Sequence, residues 1–210
     1  MNIYLRTIRN SDTVIKYHNA GTIMHITRAP LSTDDPFILE NVKQHARVSF
    51  DDDDPDLVLM ARTAAREIEG HCALALMTQI ITVSFAGWGC VVPLPIGPLD
   101  VAALNDHPIT VQTREAGGTL VTWPQGWWVD AGRYPVLHLT DRQFMDGTSL
   151  VVSYPAGFGA TVEAIPEDLQ YAINDQAAAF YDQRGAEDGK QGLSLAASRI
   201  AARHRRVAVA

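Results

Sequence analysis

The most conspicuous candidate for chemistry is a run of acidic residues, Asp51, Asp52, Asp53 and Asp54, followed by Pro55 and Asp56. Carboxylates at alternate positions bind Ca²⁺ when a glycine stands at the sixth position of the loop and a glutamate at the twelfth. Counted from Asp51, those two positions are Asp56 and Arg62, so the calcium-loop pattern fails. Because acidic side chains stabilise the positive end of a helix, we interpret the run as a loop that caps a helix. We expect no metal and no cofactor.

No arrangement typical of catalysis stands out elsewhere in the sequence. The seven histidines form neither an HExxH pair nor a spaced cluster with cysteine. Cys72 lies on the apolar stripe of a predicted helix, and Cys90 lies in a glycine-rich segment with no histidine partner. The segment 157–161 has two glycines of a phosphate loop but lacks the GK[ST] ending and the third glycine spacing.

Three tryptophans, Trp123, Trp127 and Trp128, lie close together in the sequence. Aromatic side chains at such spacing form stacking platforms for bases or sugars, but no cluster of Lys or Arg accompanies these three. Packing in a core or at a subunit interface is therefore the favoured interpretation.

The charge is unevenly distributed along the chain. The 24 acids and 17 bases give a formal net charge of −7 over 210 residues. Arg199, Arg203, Arg205 and Arg206 place four positive charges at the C-terminal end, and without these four the net charge of −7 becomes −11 for the remainder. The arginines either stabilise the end of a helix or form a docking patch for carboxylates or phosphates. An acidic remainder should repel nucleic acid.

The elements that must position these residues belong to an α+β fold. Helical periodicity predicts helices over 37–46, 55–77 and 166–184, whereas alternating apolar residues with Gly and Pro breaks predict a small antiparallel β region over 79–154. We thus expect a small helical bundle with an inserted β region, an extended N-terminal arm over 1–28 and a body over 29–184. A linker and a C-terminal helix follow over 185–210. No apolar stretch is long enough to predict a membrane span.

Two short motifs, together with the order of the predicted helices and strands, resemble the sequences of a known family. The first is Leu94-Pro95-Ile96-Gly97-Pro98-Leu99, and the second is Tyr154-Pro155-Ala156-Gly157-Phe158-Gly159, which precedes a helix starting after Ile165-Pro166. Together with the acidic run that opens a long helix, they resemble the head–tail connector (adaptor) proteins of long-tailed bacteriophages and phage-derived gene transfer agents. The similarity covers about residues 29–184 and leaves residues 1–28 without a counterpart.

The resemblance implies a structural, non-enzymatic role in the virion at the head–tail junction. It implies a ring, typically a dodecamer, between the portal protein and a stopper or tail-completion protein, with DNA passing through the ring without sequence-specific binding. The C-terminal segment of such proteins commonly reaches the portal, which we transfer to Leu193, Leu195, Arg199, Ile200, Arg203, Arg205 and Arg206. The aromatic residues enriched in interfaces make Trp88, Trp123, Trp127 and Trp128 candidates for ring contacts. The candidates for a channel-facing acidic surface are Asp51, Asp52, Asp53, Asp54, Asp141 and Asp146.

Two other function classes stay open on the sequence alone. One is a small-molecule enzyme or carbohydrate-binding module that uses the Trp-rich β region, which requires a concave pocket lined by Trp123, Trp127 or Trp128. The other is a nucleic-acid-binding accessory factor that uses the arginine cluster, for which a steep salt dependence is expected.

Overall fold

A computed structural model describes residues 24–124, 126–140, 149–184 and 192–206. Its described elements are four α-helices and two antiparallel sheets, with two 3₁₀ helices, and they confirm the predicted α+β class. The helices are α1 (Leu39–Ala46), α2 (Asp54–Cys72), α3 (Glu167–Asp182) and α4 (Leu195–His204). The strands are β1 (Met24–Pro30), β2 (Gln79–Phe85), β3 (Val91–Pro93), β4 (Thr110–Arg114), β5 (Leu120–Thr122), β6 (Trp127–Asp130), β7 (Val136–Leu139) and β8 (Ser149–Ala156).

The chain divides into two compact units. The β unit comprises the described residues of Met1–Ser32 and Thr78–Gly157, and the helical unit comprises those of Thr33–Met77 and Phe158–Ala210. The helical unit is therefore built from two separate stretches of sequence, with most of the β unit inserted between them.

The β unit contains a five-stranded sheet in the order β1-β2-β8-β4-β5 and a three-stranded sheet in the order β3-β7-β6. In β2, Ile81, Val83 and Phe85 are buried and alternate with half-buried residues, as the period of two predicts. Strand β1 pairs antiparallel with β2 along its whole length, from Met24 opposite Phe85 to Pro30 opposite Gln79. The boundary expected at residue 28 thus falls inside a strand of the sheet.

The two motifs that carry the family resemblance hold each other inside the β unit. Tyr154 is fully buried, and its hydroxyl donates to the carbonyl of Ile96 at 2.9 Å and accepts from the Ile96 N–H at 3.2 Å. The Gly157 N–H donates to the carbonyl of Pro98 at 3.0 Å. The segment 94–100 has few strand partners of its own, so these bonds satisfy backbone groups that burial would otherwise leave unpaired.

Glycine is required at one position of this segment. A Cβ built on Gly97 would lie 1.9 Å from the carbonyl oxygen of Arg133, which is far inside van der Waals contact. The close approach of two backbones therefore explains the glycine between Ile96 and Pro98.

The core of the helical unit is the apolar stripe of α2 packed against α1, α3 and α4. Leu57, Ala61, Ala64, Ile68 and Cys72 lie at the predicted helical spacing and are fully buried. The small alanines in this stripe allow neighbouring helices to approach closely.

The predicted end of this long helix was wrong, because α2 ends at Cys72 and not at residue 77. Ala73 adopts the left-handed conformation (φ 55°, ψ 47°), which costs a non-glycine residue about 1 kcal/mol. The Glu69 carbonyl accepts from the N–H of Leu74 at 3.1 Å, and the Glu69 carboxylate accepts from the N–H of Leu76 at 2.7 Å. These bonds stabilise a helix end that carries no glycine signal in the sequence.

Replacing Tyr154 by phenylalanine should destabilise the protein by about 2 kcal/mol, because the substitution leaves a buried N–H and a buried C=O of Ile96 without their partner. Urea unfolding of the full chain measures the change. Tyr171→Phe is the matched control, since Tyr171 is half-exposed on α3 and its contact with His45 is through the ring. Equal stability of the two variants would contradict this role for Tyr154.

Candidate interaction surfaces

The acidic run is neutralised on one side by a buried lysine. The ammonium group of Lys43, on α1, lies 2.5 Å from Asp51 Oδ1 and 2.7 Å from Asp54 Oδ1. These hydrogen bonds, first to Asp51 and then to Asp54, raise the pKa of Lys43 far above its ordinary value. Lys43 therefore stays charged and fixes the loop that precedes α2 to α1.

The other side of the run is held by the end of α3. The Tyr181 hydroxyl donates to Asp53 Oδ2 at 2.5 Å, and Arg184 Nη2 donates to the same oxygen at 3.1 Å. The Arg184 guanidinium also lies 3.8 Å from the centre of the Tyr181 ring. The hydrogen bond from Tyr181 and then that from Arg184 lower the pKa of Asp53. Asp53 occupies the N-cap position of α2, but its side chain makes no capping bond there, because Tyr181 and Arg184 bind it.

The predicted channel-facing acids consequently have different surroundings. Asp53 and Asp54 are about one-quarter exposed and paired within the helical unit, whereas Asp51 is 88% exposed despite its contact with Lys43. Asp52 is exposed. Asp141 and Asp146 lie outside the described residues.

Helix α4 begins at a serine that binds two residues of α3. The Ser194 hydroxyl accepts from the Ala197 N–H at 3.1 Å, which caps the helix, and donates to Asp175 Oδ2 at 2.5 Å. The Ser194 N–H donates to Gln176 Oε1 at 2.5 Å. The other carboxylate oxygen of Asp175 lies 3.3 Å from His45 Nε2 on α1. Asp175 thus connects α1, α3 and the start of α4.

The opposite end of α4 is fastened to the start of α3 through a buried histidine. His204 Nε2 lies 2.8 Å from Asp168 Oδ2, and Arg203 Nη2 lies 3.4 Å from the same oxygen. Burial opposes ionisation of Asp168, but the hydrogen bond and charge of His204, with the charge of Arg203, outweigh it and lower the pKa of Asp168. Helix α4 is therefore tied to α3 at both of its ends.

This packing divides the candidate portal-docking residues into two groups. Ile200 is buried in the core and Leu193 packs against it, so these two apolar side chains stabilise the helical unit itself. Leu195 is 79% exposed, and Arg199, Arg203 and Arg205 are exposed, while Arg206 is half-buried. We define Leu195, Arg199 and Arg203, which lie one helical turn apart and are exposed, as the outer stripe of α4. Arg205 follows the helix and is also exposed.

The four tryptophans do not form one surface. Trp123 is buried, Trp88 and Trp127 are half-buried, and Trp128 is 51% exposed. Trp127 and Trp128 are successive residues of β6, so their side chains point to opposite faces of the sheet. Trp128 stacks flat on His138, with ring centres 4.9 Å apart and planes 1° apart. The common pocket that a carbohydrate-binding module requires is not formed by Trp123, Trp127 and Trp128.

The helical unit has an open cavity of about 520 Å³ whose lining includes Asp34, Asp35, Phe37 and Glu163. Arg62 binds Asp35 through two hydrogen bonds, at 2.7 and 3.0 Å. In the described part of the chain, no three His, Cys, Asp or Glu side chains converge on a possible metal position.

No described helix combines the length and the apolar character needed to cross a membrane.

Sequence reasoning missed the polar residues that organise the helical unit. Asp168 and Asp175 both lie on α3, but their partners His204, Ser194 and His45 are 19 to 130 residues away in the sequence and match no motif. The Trp128–His138 stack joins two strands. The sequence does contain signals for helix N-termini, namely Ser194 before an apolar stripe and acidic residues in the first turn of α3. These signals do not identify the hydrogen-bond partners of the residues.

These features define an α+β protein with a helical bundle and an inserted β unit, without a convergent catalytic group among the described residues. No protein-family model matches the chain, and no curated protein matches it. Solved structures do match across nearly their whole length. One is a chain from the neck of an empty gene transfer agent particle computed with C6 symmetry. It matches with a TM-score of 0.69 and 21% identity, over 88% of this chain and 97% of the matched chain.

Two further structures are similar to the same extent. The virion of a native gene transfer agent particle has a chain with a TM-score of 0.67 and 23% identity, over 87% of this chain and 97% of that one. The neck of a native particle computed with C12 symmetry has a chain with a TM-score of 0.67 and 22% identity, over 88% and 97%. The protein therefore has the fold of a chain from gene transfer agent particles, and the fold implied by the motifs is confirmed.

Acidification should destabilise the helical unit below about pH 4. The pKa values of Asp53 and Asp168 are lower in the folded protein than the ordinary value of 3.8, so their contribution to stability is complete above that value and is lost as the pH falls through the folded-state pKa values. Denaturation midpoints from pH 7 to pH 2.5 measure this loss. The variant Asp53→Asn/Asp168→Asn should start less stable and show a flatter profile, whereas the exposed control Asp106→Asn should follow the parent.

Proposed function

We propose that this chain is a structural virion protein that forms a ring at the head–tail junction and joins the portal to the tail. The observation that carries the proposal is the likeness in fold, over 97% of their length, to chains of gene transfer agent necks computed with C6 and C12 symmetry. We propose a ring of twelve copies, in line with the neck computed with C12 symmetry, located in the neck of a phage or gene transfer agent particle. The role is structural and not enzymatic.

The charge distribution supports passage of DNA without specific binding. The chain without its C-terminal arginines is strongly acidic, and Asp51 and Asp52 present carboxylates to solvent. Protein contacts with phosphate depend on Lys and Arg, so an acidic wall lets DNA slide past. We propose that Asp51 and Asp52 face the channel.

The outer stripe of α4 is proposed to bind the portal protein. Leu195 is the most exposed of the large apolar side chains in the described residues, and Arg199 lies one helical turn further on. An apolar anchor beside arginines is typical of a helix that docks into a groove with acidic edges. A stopper or tail-completion protein would bind the opposite side of the ring.

Removing the gene for this chain from a particle-producing strain should yield filled or empty heads without attached tails. The ring provides the only connection in this proposal, so the loss should be nearly complete and should be reversed by the gene supplied in trans. Electron microscopy of the released particles counts joined and separate structures. Normally joined particles from the deletion strain would contradict the proposed function.

The docking helix is best tested by substitution of its outer stripe. Deleting residues 193–210 also removes Ala197, Ile200 and Ala201 from the core. Loss of binding by that variant would follow either from unfolding of the helical unit or from loss of the docking surface. Leu195→Asp with Arg199→Glu changes only exposed positions and should weaken binding to the portal at least tenfold, measured by co-purification or biolayer interferometry. Leu59→Asp, at an exposed position of α2, is the control. Unchanged affinity of the α4 variant, with a normal melting curve, would disprove this docking surface.

A further inference from the structure

The outer face of the three-stranded sheet carries an exposed aromatic and apolar row. Val91 on β3 and Trp128 on β6 both lie opposite His138 on the central strand β7, so the three side chains occupy the same face of the sheet. Val91 is 58% exposed and Trp128 51% exposed. Because Trp128 stacks flat on His138, its ring is held in one orientation while half of the residue remains exposed.

A carboxylate lies beside this row. Asp130 is on the same face as Trp128, two residues further along β6, and its Oδ2 lies 2.7 Å from His138 Nε2. Its side chain is 67% exposed. An immobilised indole next to a carboxylate provides both components that bind a guanidinium group, a cation–π contact and a charge-assisted hydrogen bond. We call Val91, Trp128, Asp130 and His138 the Trp128 platform.

A complementary surface lies elsewhere on the β unit, on the hairpin of β4 and β5. Leu120 is 41% exposed, and Arg114 lies directly opposite it in the hairpin, so the two side chains are on the same face. The turn is tight, since the Gly118 N–H donates to the backbone carbonyl of Glu115 at 2.8 Å and Gly118 has a φ of +87°. Arg114 donates to the carbonyl of Gly118 through Nη1, and a guanidinium has five N–H donors, so Arg114 can keep this bond and bind a further carboxylate.

We propose that the β4–β5 hairpin of one copy binds the Trp128 platform of the next copy in the ring. Leu120 packs on Val91 and Trp128, while Arg114 binds Asp130 at the edge of the indole. The two surfaces are on different sheets and share no residue, so one copy can use both at the same time. The contact is therefore heterologous, which is the type of contact that forms a closed ring. This inference rests on the proposed ring and names the surfaces that close it.

Cysteine cross-linking in assembled particles tests the contact directly. In a Cys90→Ser background, the pair Val91→Cys and Leu120→Cys should give a ladder of oxidised species beyond the dimer on a non-reducing gel, because each copy links to two neighbours. The control pair Leu59→Cys and Leu120→Cys should give no ladder. If rings are visible at the junction but the first pair yields no ladder, the ring stands and this interface is wrong. If the chain is absent from the particles, the ring and the interface both fall.

A charge exchange tests the polar half of the contact. Asp130→Arg alone and Arg114→Glu alone place like charges together and should each reduce the yield of joined particles at least tenfold. The double variant restores opposite charges and should recover most of the yield. Trp128→Ala should also reduce the yield, whereas Leu59→Ala should not. Failure of the double variant to recover, with each single variant folded and defective, would disprove the pairing of Arg114 with Asp130.

Discussion

The β unit depends on the hydrogen bonds between a buried tyrosine and a loop that has few strand partners. Tyr154 donates to and accepts from Ile96 within a fully buried environment, and the chain around Gly97 approaches Arg133 so closely that no side chain fits. Removing the hydroxyl leaves two backbone groups unpaired in the core, which is more costly than losing one exposed bond. The motifs around Tyr154 and Ile96 are therefore two parts of one structural feature.

The helical unit depends in a similar way on α3, whose carboxylates and terminal residues bind each neighbouring helix. Asp168 holds the end of α4, Asp175 holds α1 and the start of α4, and Tyr181 with Arg184 holds the loop before α2. Because α4 is fixed at both ends and buries Ile200, it belongs to the folded unit and presents a single solvent-facing stripe. Of the C-terminal arginines, Arg203 therefore also contacts Asp168 of α3, whereas Arg199 and Arg205 are exposed on the surface.

The sequence was sufficient for the elements that depend on local periodicity. The apolar stripe of α2 and the alternation in β2 follow from spacing and residue type. The end of α2 was not predictable, because Ala73 takes a conformation that its side chain disfavours and the stabilising bonds to Glu69 match no local sequence signal. Likewise, no local sequence pattern indicates that Trp128 stacks on His138, because the stack depends on the pairing of β6 with β7. Nor does a local pattern show that Ile200 is buried while Leu195 is exposed, because this depends on how α4 packs against the other helices.

In the proposed function, copies of this chain close into a ring between capsid and tail. A single-particle reconstruction of the neck, computed without imposed symmetry from particles of the producing strain, would show such a ring. We predict a closed ring of identical copies around the particle axis, each fitting both the β unit and the helical unit. A neck whose density accommodates no copy of this fold, or a single copy off the axis, would rule out the ring.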